Sequence, residues 1–157
     1  MRVALGSDHA GITLKNELKR AFDTETSDGA SLQTCIDVGT HTEESVDYPD
    51  FALQVAKGVA INTYDRGILV CGSGIGMSIA ANKVAGVRAA LIHDVDSARL
   101  CREHNDANVL ALAGRTLDTD TALSIVKVFL ETSFEGGRHQ RRVDRITDIE
   151  QQAEGRT

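Results

Sequence analysis

Gly67-Ile68-Leu69-Val70-Cys71-Gly72-Ser73-Gly74-Ile75-Gly76-Met77-Ser78 is the stretch that decides the fold. Its first five residues form a run without polar alternation, which suits a strand covered on both faces. Glycines at 72, 74 and 76 let the backbone turn tightly and approach a ligand. A helical pattern follows over Ile75–Val84. Four similar runs lie at Val3–Gly6, Thr34–Val38, Ala89–His93 and Val109–Ala113. Helical patterns at Ile12–Phe22, Asp50–Ile61, Asp96–His104, Thr119–Thr132 and Arg138–Glu150 alternate with them. This order predicts right-handed crossovers and a three-layer α/β/α sandwich around a five-stranded parallel sheet. Asp118 and Asp120 place negative charge where a helix N-terminus favours it. The pattern reads as one domain over residues 1–150 and a polar tail over 151–157.

Composition narrows the function. At 157 residues, 41% hydrophobic and 25% charged, the chain is an ordinary globular domain. Lys and Arg number 17 against 23 Asp and Glu, a net charge of −6. That balance argues against nucleic-acid or anionic-membrane binding, which needs a basic surface. Three cysteines without a C-x-x-C pair read as reduced thiols of the cytosol. No apolar run approaches the ~18 residues of a membrane span. The expectation is a cytoplasmic protein.

Ligands of open parallel sheets bind at the carboxyl ends of the strands. Three such ends carry reactive groups: Ser7-Asp8-His9-Ala10-Gly11, the glycine turn after Cys71, and Gly114-Arg115. Cysteine directly before a helix N-terminus can supply thiolate near neutral pH. Cys71 has that place; Cys35, in a strand, and Cys101, mid-helix, read as inert. The turn is one glycine short of a dinucleotide fingerprint, since Met77 stands where G-x-G-x-x-G ends. Asp94 stands about where the ribose-binding acid would, so that reading stays open. Gly136-Gly137-Arg138-His139-Gln140-Arg141-Arg142-Val143-Asp144-Arg145 is a basic island. Arg138 and Arg142, four apart, are expected on one helical face, where two guanidinium forks suit a phosphate. His104-Asn105 ends the fourth helical pattern. The five histidines have no zinc-ligand spacing, and His41 and His93 read as structural.

Five segments together resemble type B ribose-5-phosphate isomerase. They are Gly6–Gly11, Glu44–Asp50, Gly67–Lys83, His104–Asn108 and Gly136–His139. The resemblance runs from residue 2 to about residue 150. Its wider family includes isomerases of galactose 6-phosphate and allose 6-phosphate. It implies a Rossmann-like sandwich that forms homodimers and sometimes tetramers. It also implies interconversion of ribose 5-phosphate and ribulose 5-phosphate through an enediolate, with no metal or cofactor. Cys71 falls on the base that moves the proton between C2 and C1. Some members lack this cysteine and use a glutamate four residues on; here that position is Ile75. His104 falls on the acid that opens the furanose ring. Asp8, His9 and Asn105 fall on substrate contacts, and Gly72, Ser73, Gly74, Ile75 and Gly76 on the anion hole. Arg115, Arg138 and Arg142 fall on the phosphate site. Ser73 stands where many members carry Thr and keeps the hydroxyl. A catalytically silent phosphosugar-binding module is the competing class; binding alone would require neither Cys71 nor His104.

Chain direction adds one expectation. Helix Asp96–His104 runs back antiparallel to the strands, so nine residues at ~1.5 Å carry His104 roughly 13 Å from the edge that holds Cys71. Both groups must act on one sugar. The expected solution is a two-fold dimer with Asp8, His9 and Cys71 from one chain and His104 and Asn105 from the other.

Overall fold

The computed structural model describes residues 1–27 and 34–154. The elements are β1 (Arg2–Ser7), α1 (Ile12–Ser27), β2 (Thr34–Asp37), α2 (Tyr48–Ala60), β3 (Arg66–Cys71), α3 (Ile75–Ala81), β4 (Ala89–Leu91), α4 (Val95–Asn105), β5 (Val109–Ala113), α5 (Thr119–Glu131) and α6 (Gln140–Glu154). All pairings are parallel, in the order β2-β1-β3-β5-β4.

Alternate strand residues feed two apolar layers. Val3, Leu5, Ile68, Val70, Leu110 and Leu112 pack with α1, α4 and α5. Ala4, Leu69, Cys71, Val109 and Ala111 pack with α2 and α3 on the other face. Both faces of β3 and β5 are therefore dry, which is why their sequences lack polar alternation. Each such fully buried Leu, Ile or Val side chain stabilises the fold by about 1.5–3 kcal/mol.

Helix ends differ from the sequence reading where local chemistry intervenes. α2 starts at Tyr48, with Pro49 in its first turn, where a missing N–H does no harm. α3 stops at Ala81 because the Asn82 side chain turns to bond Ser78 O and the backbone of Ala89. Asp118 caps α5, accepting from Thr121 N–H. The placing of Arg138 and Arg142 on one helical face is corrected. Gly136 and Gly137 are both left-handed, and α6 begins only at Gln140. Arg138 lies in the turn before it. α6 then continues to Glu154, so residues 151–154 of the polar tail extend the helix; 155–157 lie outside the described residues. No helix among the described residues is long and apolar enough to cross a membrane.

The topology singles out one edge of the sheet. The chain goes from β1 outward to β2, then crosses back over β1 to β3. Connections leave the neighbours β1 and β3 on opposite faces of the sheet, the arrangement in which ligands bind outside the strands' carboxyl ends.

Candidate active site

At the carboxyl edge the backbone itself makes the site. Gly11 lies so close to β3 that a Cβ there would sit 2.3 Å from Val70 O. Asp8, buried beside it, accepts from Gly11 N–H at 2.9 Å. His9 Nδ1 accepts from the backbone N–H of Val46 at 3.2 Å. The ring proton is thereby assigned to Nε2, which becomes a donor. The segment that brings Val46 there is anchored by the buried Lys15, whose Nζ bonds Asp37 Oδ2 at 2.7 Å and Thr40 O at 2.9 Å.

Cys71 ends β3 with 4% of its surface exposed. Its Sγ accepts from Gly74 N–H at 3.1 Å, and Ile75 N–H points to Ser73 Oγ at 3.3 Å. Gly74 has φ +74°, and a Cβ would lie 2.5 Å from Leu91 Cδ1. The Arg115 guanidinium lies against Gly72, and the Tyr48 ring lies against Gly76. Asp8, His9, Cys71, the loop Gly72–Gly76 and Arg115 are thus gathered as expected. Tyr48 joins them although no role was read for it. Its signal was its place between Asp47 and Pro49, an aromatic entering a helix within one of the motif segments. Burial pushes Cys35 up to about 12 and Cys101 up to about 11.

The opposite edge holds the remaining residues. His104 and Asn105 are the last residues of α4. Asp106 follows in a left-handed conformation, and its carboxylate is gripped by Arg88 at 2.7 Å and Arg102 at 2.8 Å. Arg102 is buried and also donates to Ala107 O and Thr132 O. Arg88 Nε donates to Asn105 O at 3.1 Å. The chain after α5 returns here, with Glu135 N–H bonded to Glu103 O at 3.1 Å. His139 then stacks on His104, ring centroids 4.1 Å apart and planes within 5°. Arg138 Nε donates to His139 Nε2 at 3.2 Å. Arg142 lies in the first turn of α6, its N–H bonded to His139 O.

Register measures the separation. Cys71 pairs with Ala113 at the end of β5, whereas Asp106-Ala107-Asn108 leads directly from α4 into Val109 at its start. Four steps at ~3.3 Å put the two edges roughly 13 Å apart. One chain therefore gathers the candidate residues into two clusters at opposite edges of the sheet, one around Cys71 and one around His104.

A sequence model described as Ribose/Galactose Isomerase matches residues 3–146. The chain belongs to that family. It is 47% identical to ribose-5-phosphate isomerase B of Escherichia coli, over 96% of this chain and 97% of the relative. Among solved structures, ribose-5-phosphate isomerase B of Clostridium thermocellum superposes with a TM-score of 0.92 at 48% identity, covering 98% of this chain and 99% of that one. The Mycoplasma genitalium enzyme, solved with bound ribulose-5-phosphate, superposes with a TM-score of 0.88 at 42% identity, covering 96% of each chain. The sandwich expected from the motifs is the fold of this isomerase family, and the dinucleotide reading falls. In this family member Asp94 is committed to capping α4, its carboxylate accepting from Ser97 N–H at 2.8 Å and from the Ser97 hydroxyl at 2.9 Å.

Proposed function

We propose that this chain interconverts ribose 5-phosphate and ribulose 5-phosphate in sites shared between two copies of itself. The observation that carries the reading is Cys71, a buried thiol under a glycine loop at the switch point of the sheet. The names of the relatives and the ribulose-5-phosphate bound to one of them support the substrate class.

His104 opens the ring by giving a proton to the ring oxygen as the C1–O4 bond breaks; the C1 hydroxyl loses its proton to solvent as the C1 carbonyl forms, and His104 is reprotonated from solvent. Cys71 thiolate then takes the C2 proton, and the C1 carbonyl electrons move onto O1. Gly72–Gly76 amides stabilise that charge as it develops. The O2 proton passes to O1, the thiol returns a proton to C1, and C2 becomes the carbonyl. Atoms and electrons balance without an external oxidant. Asp8, His9 and Asn105 orient the hydroxyls. Arg115, Arg138 and Arg142 hold the phosphate, the remote handle whose binding energy aligns the reacting carbons.

The separation of the half-sites supports the two-copy arrangement. Each half is bordered by exposed apolar side chains: Ile75 and Ile79 on α3 beside the glycine loop, Ile146 and Ile149 on α6 beside Asn105. A two-fold pairing that covers them sets each Cys71 against the other chain's His104 and yields two equal sites. The test is ketose formation from ribose 5-phosphate without added cofactor, run beside allose 6-phosphate and galactose 6-phosphate, with mass measured in solution. Ketose from ribose 5-phosphate by a dimer or a multiple of it is the expected result. A folded preparation that makes no ketose, or a monomer at full activity, overturns the reading.

A further inference from the structure

His139 is used by no step above, yet it touches two groups that are. It is 4% exposed and sits at the entry to α6, its N–H bonded to Gly136 O at 3.0 Å. Its edge and its face do different things. On the edge, Nε2 accepts from Arg138 Nε, which assigns a neutral ring with its proton on Nδ1, an atom buried without a hydrogen-bond partner among the described residues. That bond leaves the two terminal nitrogens of Arg138 as the fork that can hold a phosphate. On the face, the ring lies parallel beneath His104 and fixes its plane.

We propose that His139 is a positioning residue for the isomerisation, holding His104 through its face and Arg138 through its edge. The inference rests on the roles proposed above for those two residues. A neutral platform suits this place, because a second cation beneath His104 would oppose the proton that His104 carries. Burial, then His104 and Arg138, then Arg142 hold the pKa of His139 below its ordinary value, against the Glu135 carboxylate, 3.5 Å from Nε2. The same three side chains, His104, Glu135 and His139, also lie close enough together to suggest a metal site. The ring geometry speaks against it. An imidazole binds a metal in its own plane, and no single ion lies in two parallel planes about 4 Å apart. His139 Nε2 is also already engaged by Arg138.

Face and edge can be removed separately. His139→Phe keeps a flat ring and loses the acceptor. His139→Gln keeps a polar atom at the reach of Nε2 and loses the ring. The readouts are steady-state kinetics with ribose 5-phosphate and solvent deuterium uptake at C1 of ribulose 5-phosphate. Ribulose 5-phosphate is open-chain and bypasses ring opening. His139→Phe is expected to raise KM about tenfold with kcat within about twofold, because uniform phosphate binding is weakened. His139→Gln is expected to lower kcat about tenfold through a misplaced acid, while deuterium uptake stays within about twofold. Two folded variants with wild-type kinetics overturn the proposal. So do variants in which KM, kcat and deuterium uptake all worsen together, as a merely structural residue would produce. A wild type that forms no ketose overturns the parent reading as well; active wild type with unaltered variants overturns this one alone.

Discussion

At the carboxyl edge of the sheet the glycine turns hold themselves by backbone: Gly11 against Val70, Gly74 in a left-handed turn, an amide on the Cys71 sulfur. At the amino edge the holding is done by charged side chains from three separate segments: Arg88, the end of α4 with Arg102 and Asp106, and Glu135 to Arg142. At Gly11 and Gly74 an added Cβ would meet neighbouring atoms at 2.3 and 2.5 Å, whereas the amino-edge segments are joined by ion pairs. The difference also divides the labour. In the proposed mechanism, proton transfer at carbon would use the glycine-built edge, and ring opening with part of the phosphate grip would use the edge joined by ion pairs.

The strongest challenge to this division is complementation. Cys71→Ala should lose turnover by about 10²–10⁴-fold with KM little changed, as should His104→Ala with the ring-closed substrate. Mixed under subunit exchange, the two dead variants should regain activity, since a mixed dimer holds one site with both lesions and one with neither. No recovery despite proven exchange would mean that each chain completes its own site.

Next in size is the phosphate grip. Arg138→Ala or Arg142→Ala should mainly raise KM, each lost charge-assisted contact costing about 1.5–3 kcal/mol. Wild-type affinity for inorganic phosphate in both variants, measured by calorimetry, would return these arginines to the solvated surface.

Urea unfolding then compares the two constructions directly. Gly74→Ala should destabilise the fold by about 1–3 kcal/mol through strain at positive φ, with the Leu91 contact adding to it. Asp106→Asn keeps the left-handed turn and removes only the charge on Arg88 and Arg102. Its loss should be of similar order, about 1.5–3 kcal/mol, and high salt should shrink the difference from wild type. Salt-insensitive loss in Asp106→Asn would show that shape, not charge, holds the amino edge.

The smallest effect is a thiol count. At pH 8 the native chain should take up one equivalent of iodoacetamide, at Cys71, with sugar phosphate protecting it. Cys35 and Cys101 are pushed up to about 12 and about 11, so both remain protonated thiols at that pH and should react only as pH climbs toward those values or the fold opens. Peptide mass mapping that finds Cys35 or Cys101 modified first would break the contrast among the three.

Much of the carboxyl edge was legible because its causes are local. Strands dry on both faces carry unbroken apolar runs. A turn that passes close to its neighbours needs glycine within a few residues of the strand end, so Cys71 could be singled out from chain position alone. That α4 carries His104 away from Cys71 followed from helix rise and strand direction. The amino edge was illegible because its contacts are made between distant segments. The stack of His139 on His104 and the grip of Arg88 on Asp106, like the lean of Tyr48 on Gly76 at the carboxyl edge, join residues many positions apart, whereas the left-handed turn of Gly136 and Gly137 that takes Arg138 off the helix is local. Strand order is of the same kind, since short apolar runs of equal character carry no mark of which neighbour each will pair with. Local sequence dictated what each segment becomes and which ends bear chemistry. Only packing, where burial and charge pairing between remote segments are settled together, decided which of those ends meet.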